Sequence, residues 1–136
     1  MCIRDRSQTD RAHPHLSEPT RSFETLMREA VGTHHYPTVL VLLVVAEGLY
    51  LDWGSRTQAP EPGADLPNKF LEWVDLHRGE KFHTWVQFLV DELERASDQA
   101  DIAELTRFWD TAVDLELAFF DDVPFPFEGW TSSSKR

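Results

Sequence analysis

The sequence predicts an all-α domain, a bundle of about five helices. Apolar residues recur at three- and four-residue spacing in several stretches, with capping residues or breakers between them. No stretch alternates apolar and polar residues at period two, so no strand is expected. One stretch, residues 39–51, is apolar all round except for a single charge, as a helix at the centre of a bundle is.

The elements follow in order. Ser17 or Thr20 can cap a first helix, with Pro19 in its first turn; Phe23, Leu26, Met27 and Ala30 lie on one face and Gly32 ends it. A second, central helix runs from near Pro37 to Ser55. Residues 58–63 hold two prolines and a glycine and form a linker. A short third helix, Lys69 to His77, carries Phe70, Trp73 and Val74. Gly79 separates it from a fourth, Glu80 to Ala96, with a seam of Phe82, Val86, Leu89 and Leu93. The fifth runs from Asp101 to Phe120, its stripe formed by Leu105, Phe108, Trp109, Ala112, Phe119 and Phe120, until Pro124 and Pro126 stop it. Trp73, Trp85 and Trp109 are expected in the core. The connections are mostly short, which favours antiparallel neighbours.

Residues 17–124 therefore form the bundle, between a polar tail at 7–16 and another at 125–136. Residues 1–6, Met-Cys-Ile-Arg-Asp-Arg, look like the translated end of a sequencing-library adapter and are set aside. On that basis the chain is expected to be the C-terminal part of a longer protein.

Composition narrows the function. The 13 Lys and Arg against 24 Asp and Glu leave a net charge of -11, which repels a phosphate backbone. No basic amphipathic face is offered to anionic lipid, and the run 39–51 is too short to span a bilayer. The single Cys2 excludes a disulfide framework and a Cys-rich zinc site. No segment has the n- and h-regions of a signal peptide. A soluble cytoplasmic protein with no nucleic-acid or membrane partner is expected.

Two acids stand out. Glu47 is the only charge in the run 39–51, where desolvation penalises a carboxylate unless it is paired. Tyr50 lies three residues on, on the same helix face, and Gly48 opens space beside them. Glu116 falls four residues after Ala112 and four before Phe120, on the apolar stripe. Both have structural alternatives. Glu47 can be held by an Arg or a backbone donor from a neighbouring helix, and a small rotation puts Glu116 at the acidic border with Asp114, Asp121 and Asp122. Two core-facing acids otherwise point to a pocket.

Metal chemistry is weakly signalled. His34 and His35 are adjacent and so face different sides of a helix. Glu80 and His83 make one Glu-x-x-His pair, whereas a di-iron bundle needs two and further carboxylates. A solvated helix start accounts for the pair, and no metal is assigned. A phosphate-binding glycine loop and a nucleophile elbow are both absent.

Three stretches in order carry a family resemblance: 42–53 (Leu-Leu-Val-Val-Ala-Glu-Gly-Leu-Tyr-Leu-Asp-Trp), 72–77 (Glu-Trp-Val-Asp-Leu-His) followed by Phe82, and 114–120 (Asp-Leu-Glu-Leu-Ala-Phe-Phe). With this spacing, residues 19–120 resemble the C-terminal part of the thiaminase II (TenA) family. The resemblance implies a heme-oxygenase-like helical fold, N-terminally truncated here. It implies a hydrolase of aminopyrimidines in thiamin salvage, using neither metal nor organic cofactor. It also implies a small-molecule pyrimidine as partner and a homo-oligomer when full-length.

In one branch of the family a Cys attacks the pyrimidine ring; Ala46 stands at that position. Glu47 matches the acid of the branch that uses a Glu three before a Tyr, and that Tyr matches Tyr50. The C-terminal catalytic Glu that contacts a ring nitrogen matches Glu116. His77 stands where many members have a pocket Tyr, and Phe120 lines the same pocket. The catalytic set implied is Glu47, Glu116 and Tyr50, with His77, Ala46 and Phe120 binding substrate. The Asp and the stacking aromatics of the family's first half have no counterpart here, so the fragment alone is expected to be inactive. Two alternatives remain: a non-catalytic or metal-dependent, di-iron-oxygenase-like member of the same fold, and a regulatory or interaction protein.

Overall fold

A computed structural model describes residues 16–58, 68–98 and 100–122. Five α-helices make up nearly all of them: α1 Glu18–Gly32, α2 Tyr36–Arg56, α3 Asn68–Arg78, α4 Glu80–Ala96 and α5 Ile102–Asp121. There is no strand among the described residues. The adapter-like residues, most of the linker, and Pro124 with the C-terminal tail lie outside the described residues.

Local chemistry accounts for the helix ends. Ser17 caps α1, accepting the Thr20 amide at 3.4 Å, with Pro19 buried in the first turn. Asp101 caps α5, taking the amides of Ala103 and Glu104 at 2.9 and 3.4 Å. Gly79 alone separates α3 from α4. Between α1 and α2 the chain turns through His34, whose φ of 56° lies in the left-handed region. His34 and His35 therefore belong to a turn, not to opposite faces of a helix, because the reversal needs a left-handed residue at that point.

Thr38 locks this corner. It is fully buried, and its hydroxyl reaches the carbonyls of Ala30 (3.2 Å) and His35 (2.7 Å) and the Thr33 hydroxyl (2.9 Å). The Thr33 hydroxyl also donates to the Ala30 carbonyl at 2.7 Å, so two hydroxyls together satisfy backbone at the end of α1.

α2 is the axis of the bundle and packs against all four other helices. Leu26 and Ala30 of α1, Val41, Leu42 and Val45 of α2, and Leu105, Phe108 and Ala112 of α5 make one core cluster. Leu40 and Val44 of α2 with Leu89 of α4 make a second. His35 meets Glu104 near one end of α2 and Tyr50 meets Phe120 near the other, so α2 and α5 run in the same direction. Their long separation in sequence allows this parallel pairing, against the antiparallel expectation. α2 is 21 residues long and is long and apolar enough to cross a membrane by length and composition. The helix extends past the short apolar run at both ends and carries Asp52 and Arg56, joined at 2.8 Å.

The tryptophans correct an expectation. Trp73, Trp85 and Trp109 are exposed, not core. The small core clusters are filled by Leu, Val, Ala and one Phe, and the indoles lie along the flanks. Trp109 sits one residue beyond Phe108, rotated by about 100° from the buried stripe.

Candidate functional site

The deeply buried part of α2 is its first half. From Leu40 to Val45 every residue except Leu43 is buried, whereas Ala46 to Trp53 are all half-exposed. Glu47 therefore sits where the core opens, and the expectation that it is buried is corrected. It makes neither a hydrogen bond nor an ion pair among the described residues. The alternative in which an Arg or a backbone donor holds it is not realised, because the part-exposed carboxylate keeps access to water.

Glu116 is the buried acid, only 5% exposed, on the stripe with Leu105, Phe108 and Ala112. No rotation carries it to the acidic border. Burial pushes its carboxyl above the usual carboxylate range, since the charged form loses hydration and finds no cation beside it. Tyr50 is half-buried, and its phenol is also shifted upward. Burial is the largest cause, followed by the negative charges of Glu116 and then Glu47. The three predicted catalytic side chains are thus electrostatically linked through Tyr50, across α2 and α5.

Aromatic rings surround this group. The Tyr50 ring lies 5.7 Å from Trp53, 5.6 Å from Trp73, 5.4 Å from His77 and 6.4 Å from Phe120. Trp53 meets Phe120 edge-on at 4.4 Å, and His77 meets Phe82 at 4.8 Å. Edge-to-face arrangements of this kind are favoured by the ring quadrupoles. The substrate-binding candidates His77 and Phe120 therefore join the catalytic candidates at one place. Ala46 is half-buried one turn before Tyr50 on the same helix, where it offers a methyl group and no nucleophile.

Gly54 seats α3 against α2. A Cβ at Gly54 would lie 2.9 Å from the His77 carbonyl carbon and 3.0 Å from its Cβ, so only glycine permits the approach. Nothing in the sequence marks Gly54 for this, because the contact is made by backbone on a distant helix. Trp53 is the other residue that site prediction missed; its spacing of three from Tyr50 was the available signal.

Two concavities lie elsewhere. A groove of about 350 Å³ is lined by residues including Val41, Leu93, Leu105 and Trp109. A second, of about 300 Å³, is lined by residues including His35, Thr38, Asp101 and Glu104. None of the six predicted site residues lines either one. Val41 and Tyr50 are nine residues apart, about 13 Å along α2. The acids and rings around Tyr50 form a separate cluster, in which the charges of Glu116 and Glu47 both act on the Tyr50 phenol. Among the described residues no three His, Cys, Asp or Glu side chains come together as a metal site. Glu80 and His83 are both exposed at the start of α4. No protein-family model matches the chain, and no curated protein is significantly similar to it.

Proposed function

We propose that this chain carries the acid–base half of an aminopyrimidine hydrolase site of the thiaminase II type, on a heme-oxygenase-like bundle. The observation that carries the proposal is the meeting of a buried Glu116, its carboxyl raised by burial, with Tyr50 and the part-exposed Glu47 beside a group of aromatic side chains. Two carboxyls held in different environments can divide acid and base work.

Glu116 keeps its proton nearer neutral pH than an ordinary carboxyl does and can pass it to a ring nitrogen, making the pyrimidine a better electron sink. Glu47 reaches water and can take a proton from the molecule that attacks the methylene carbon. As the new C–O bond forms, the C–N bond breaks, and the departing nitrogen takes its electron pair and a proton. The Tyr50 phenol stays protonated at neutral pH and donates a hydrogen bond to that nitrogen. His77, Phe120 and Ala46 contact the substrate. The reaction uses no cofactor. On this reading the remaining ring contacts come from sequence outside the chain, the complete protein is a cytoplasmic homo-oligomer, and the chain alone is inactive.

The test is ammonia release from 4-amino-5-aminomethyl-2-methylpyrimidine by the product of the complete reading frame that contains this chain. Turnover that falls by about 10²-fold or more in both Glu47→Gln and Glu116→Gln supports the assignment. Wild-type turnover in Glu116→Gln removes the ring-protonation role, and wild-type turnover in Glu47→Gln moves the chemistry off α2. Substrate binding retained in an inactive Glu116→Gln variant locates the loss in proton transfer.

A further inference from the structure

His77 is held by its own helix in a way that decides what it offers a ligand. Its Nδ1 lies 2.6 Å from the carbonyl oxygen of Trp73, one turn earlier on α3. A carbonyl only accepts, so Nδ1 carries the hydrogen, and in the neutral ring Nε2 is left as an acceptor. Nε2 has no hydrogen-bond partner among the described residues. The imidazole is packed by Trp73 at 4.2 Å, Phe82 at 4.8 Å and Tyr50 at 5.4 Å, three rings that hold its orientation. Its backbone is seated on Gly54, so the ring cannot drift away from α2 without opening the contact between α2 and α3.

We infer that His77 is a specificity-determining residue that accepts a hydrogen bond at Nε2 from an N–H of the ligand, on the nitrogen served by Tyr50. The inference rests on the aminopyrimidine reading for the ligand, but not for the tautomer. A phenol at this position could donate as well as accept; His77 in this tautomer only accepts. Ligands with a hydrogen on that nitrogen are therefore selected over those in which an alkyl group replaces it.

Two measurements test the two halves separately. Nitrogen-15 NMR of this chain, with the His77 resonances identified by their loss in His77→Gln, reads the tautomer without any ligand. The expected result is a protonated Nδ1 and an unprotonated Nε2; a proton on Nε2 in the neutral ring overturns the inference. Binding is then compared, in the protein used for the turnover assay, between N-[(4-amino-2-methylpyrimidin-5-yl)methyl]formamide and its N-methyl derivative. The N-methyl compound is expected to bind about tenfold or more weakly, the scale of one lost hydrogen bond with its unpaired acceptor. The discrimination should vanish in His77→Phe and partly return in His77→Gln, whose side-chain oxygen accepts. Equal discrimination in His77→Phe marks a steric effect and overturns the role. If neither formamide binds while the tautomer is as expected, the aminopyrimidine reading fails and takes the ligand half with it. Circular dichroism of both variants separates loss of fold from loss of contact.

Discussion

Burying Glu116 with no cation beside it makes ionisation costly, and that cost appears in the folding equilibrium as well as in any proton transfer. Its carboxyl is raised above the ordinary value in the folded chain. Below the ordinary carboxylate range the group is neutral in both states and contributes no pH dependence. As pH rises through that range the unfolded chain releases its proton first, so stability falls until the folded-state value is passed and then stays lower. Glu116→Gln removes this term. The variant should melt higher than wild type at pH 7 to 8, with the difference shrinking as pH falls towards 4. Thermal melts across that range check it, and a pH-independent difference would mean that shape, not charge, sets the effect. On the proposed aminopyrimidine hydrolase reading the same substitution lowers turnover in the complete protein, so stability and activity move in opposite directions. Thr38 offers a second residue-scale test. Thr38→Val keeps the volume but removes the buried hydroxyl from its contacts with Thr33 and with the Ala30 and His35 carbonyls, and denaturant unfolding should show a loss of about 1–3 kcal/mol.

At the scale of elements, the two interior glycines of α2 have opposite reasons for being there. Gly54 is buried under the His77 backbone, and an added Cβ would approach within 2.9 Å. The groups it meets are mostly backbone and cannot swing aside. Gly54→Ala should cost about 1–3 kcal/mol by forcing α2 and α3 apart, and it should disturb the His77 and Tyr50 resonances together. A Cβ at Gly48 would meet nothing within 4 Å. Gly48→Ala should stabilise the chain by up to about 1 kcal/mol, because alanine loses less backbone entropy in a helix. Chemical denaturation of the pair checks the contrast. If Gly48→Ala stabilises the fold while lowering the proposed hydrolase turnover of the complete protein, the open space beside Glu47 belongs to the proposed site.

For the whole molecule, the exposed apolar side chains set the behaviour in solution. Phe70, Leu76, Trp85, Phe88, Trp109, Val113 and Leu117 are all exposed on the outer faces of α3, α4 and α5. Trp109, Val113 and Leu117 recur every four residues along α5, so they share one face. Apolar stripes of this kind bind hydrophobic dyes and one another. The isolated chain should enhance ANS fluorescence and show concentration-dependent size in sedimentation. A flat ANS response with a sharp, concentration-independent thermal transition would mean that these side chains are covered. The surface ion pairs offer little compensation. Arg107 and Glu29, which join α5 to α1 at 2.8 Å, are each about half exposed, and such a pair contributes under about 1 kcal/mol.

Among the described residues, helix number, class and boundaries were legible in the sequence because they depend on local chemistry. Ser17 and Asp101 cap through their own side chains, and periodicity places each helix within one or two residues of its observed ends. Glu116 was legible as a core-facing acid for the same reason, since it keeps step with Leu105, Phe108 and Ala112. Pairwise geometry was not legible. The sequence marked Glu47 as a core-facing acid, but burial depends on how closely neighbouring helices cover each part of α2, and they cover residues 40–45 more fully than 46–53. The tryptophans were placed in the core by their apolar character, yet α5 buries its stripe one position away from Trp109, leaving that indole outside. Gly54 and the Nδ1 donor of His77 are tertiary and conformational facts. One depends on backbone from a helix more than twenty residues away, the other on a side-chain rotamer that periodicity does not encode. Sequence determined which residues share a helix face; packing decided which faces meet, and so that Glu116 is the acid that burial encloses.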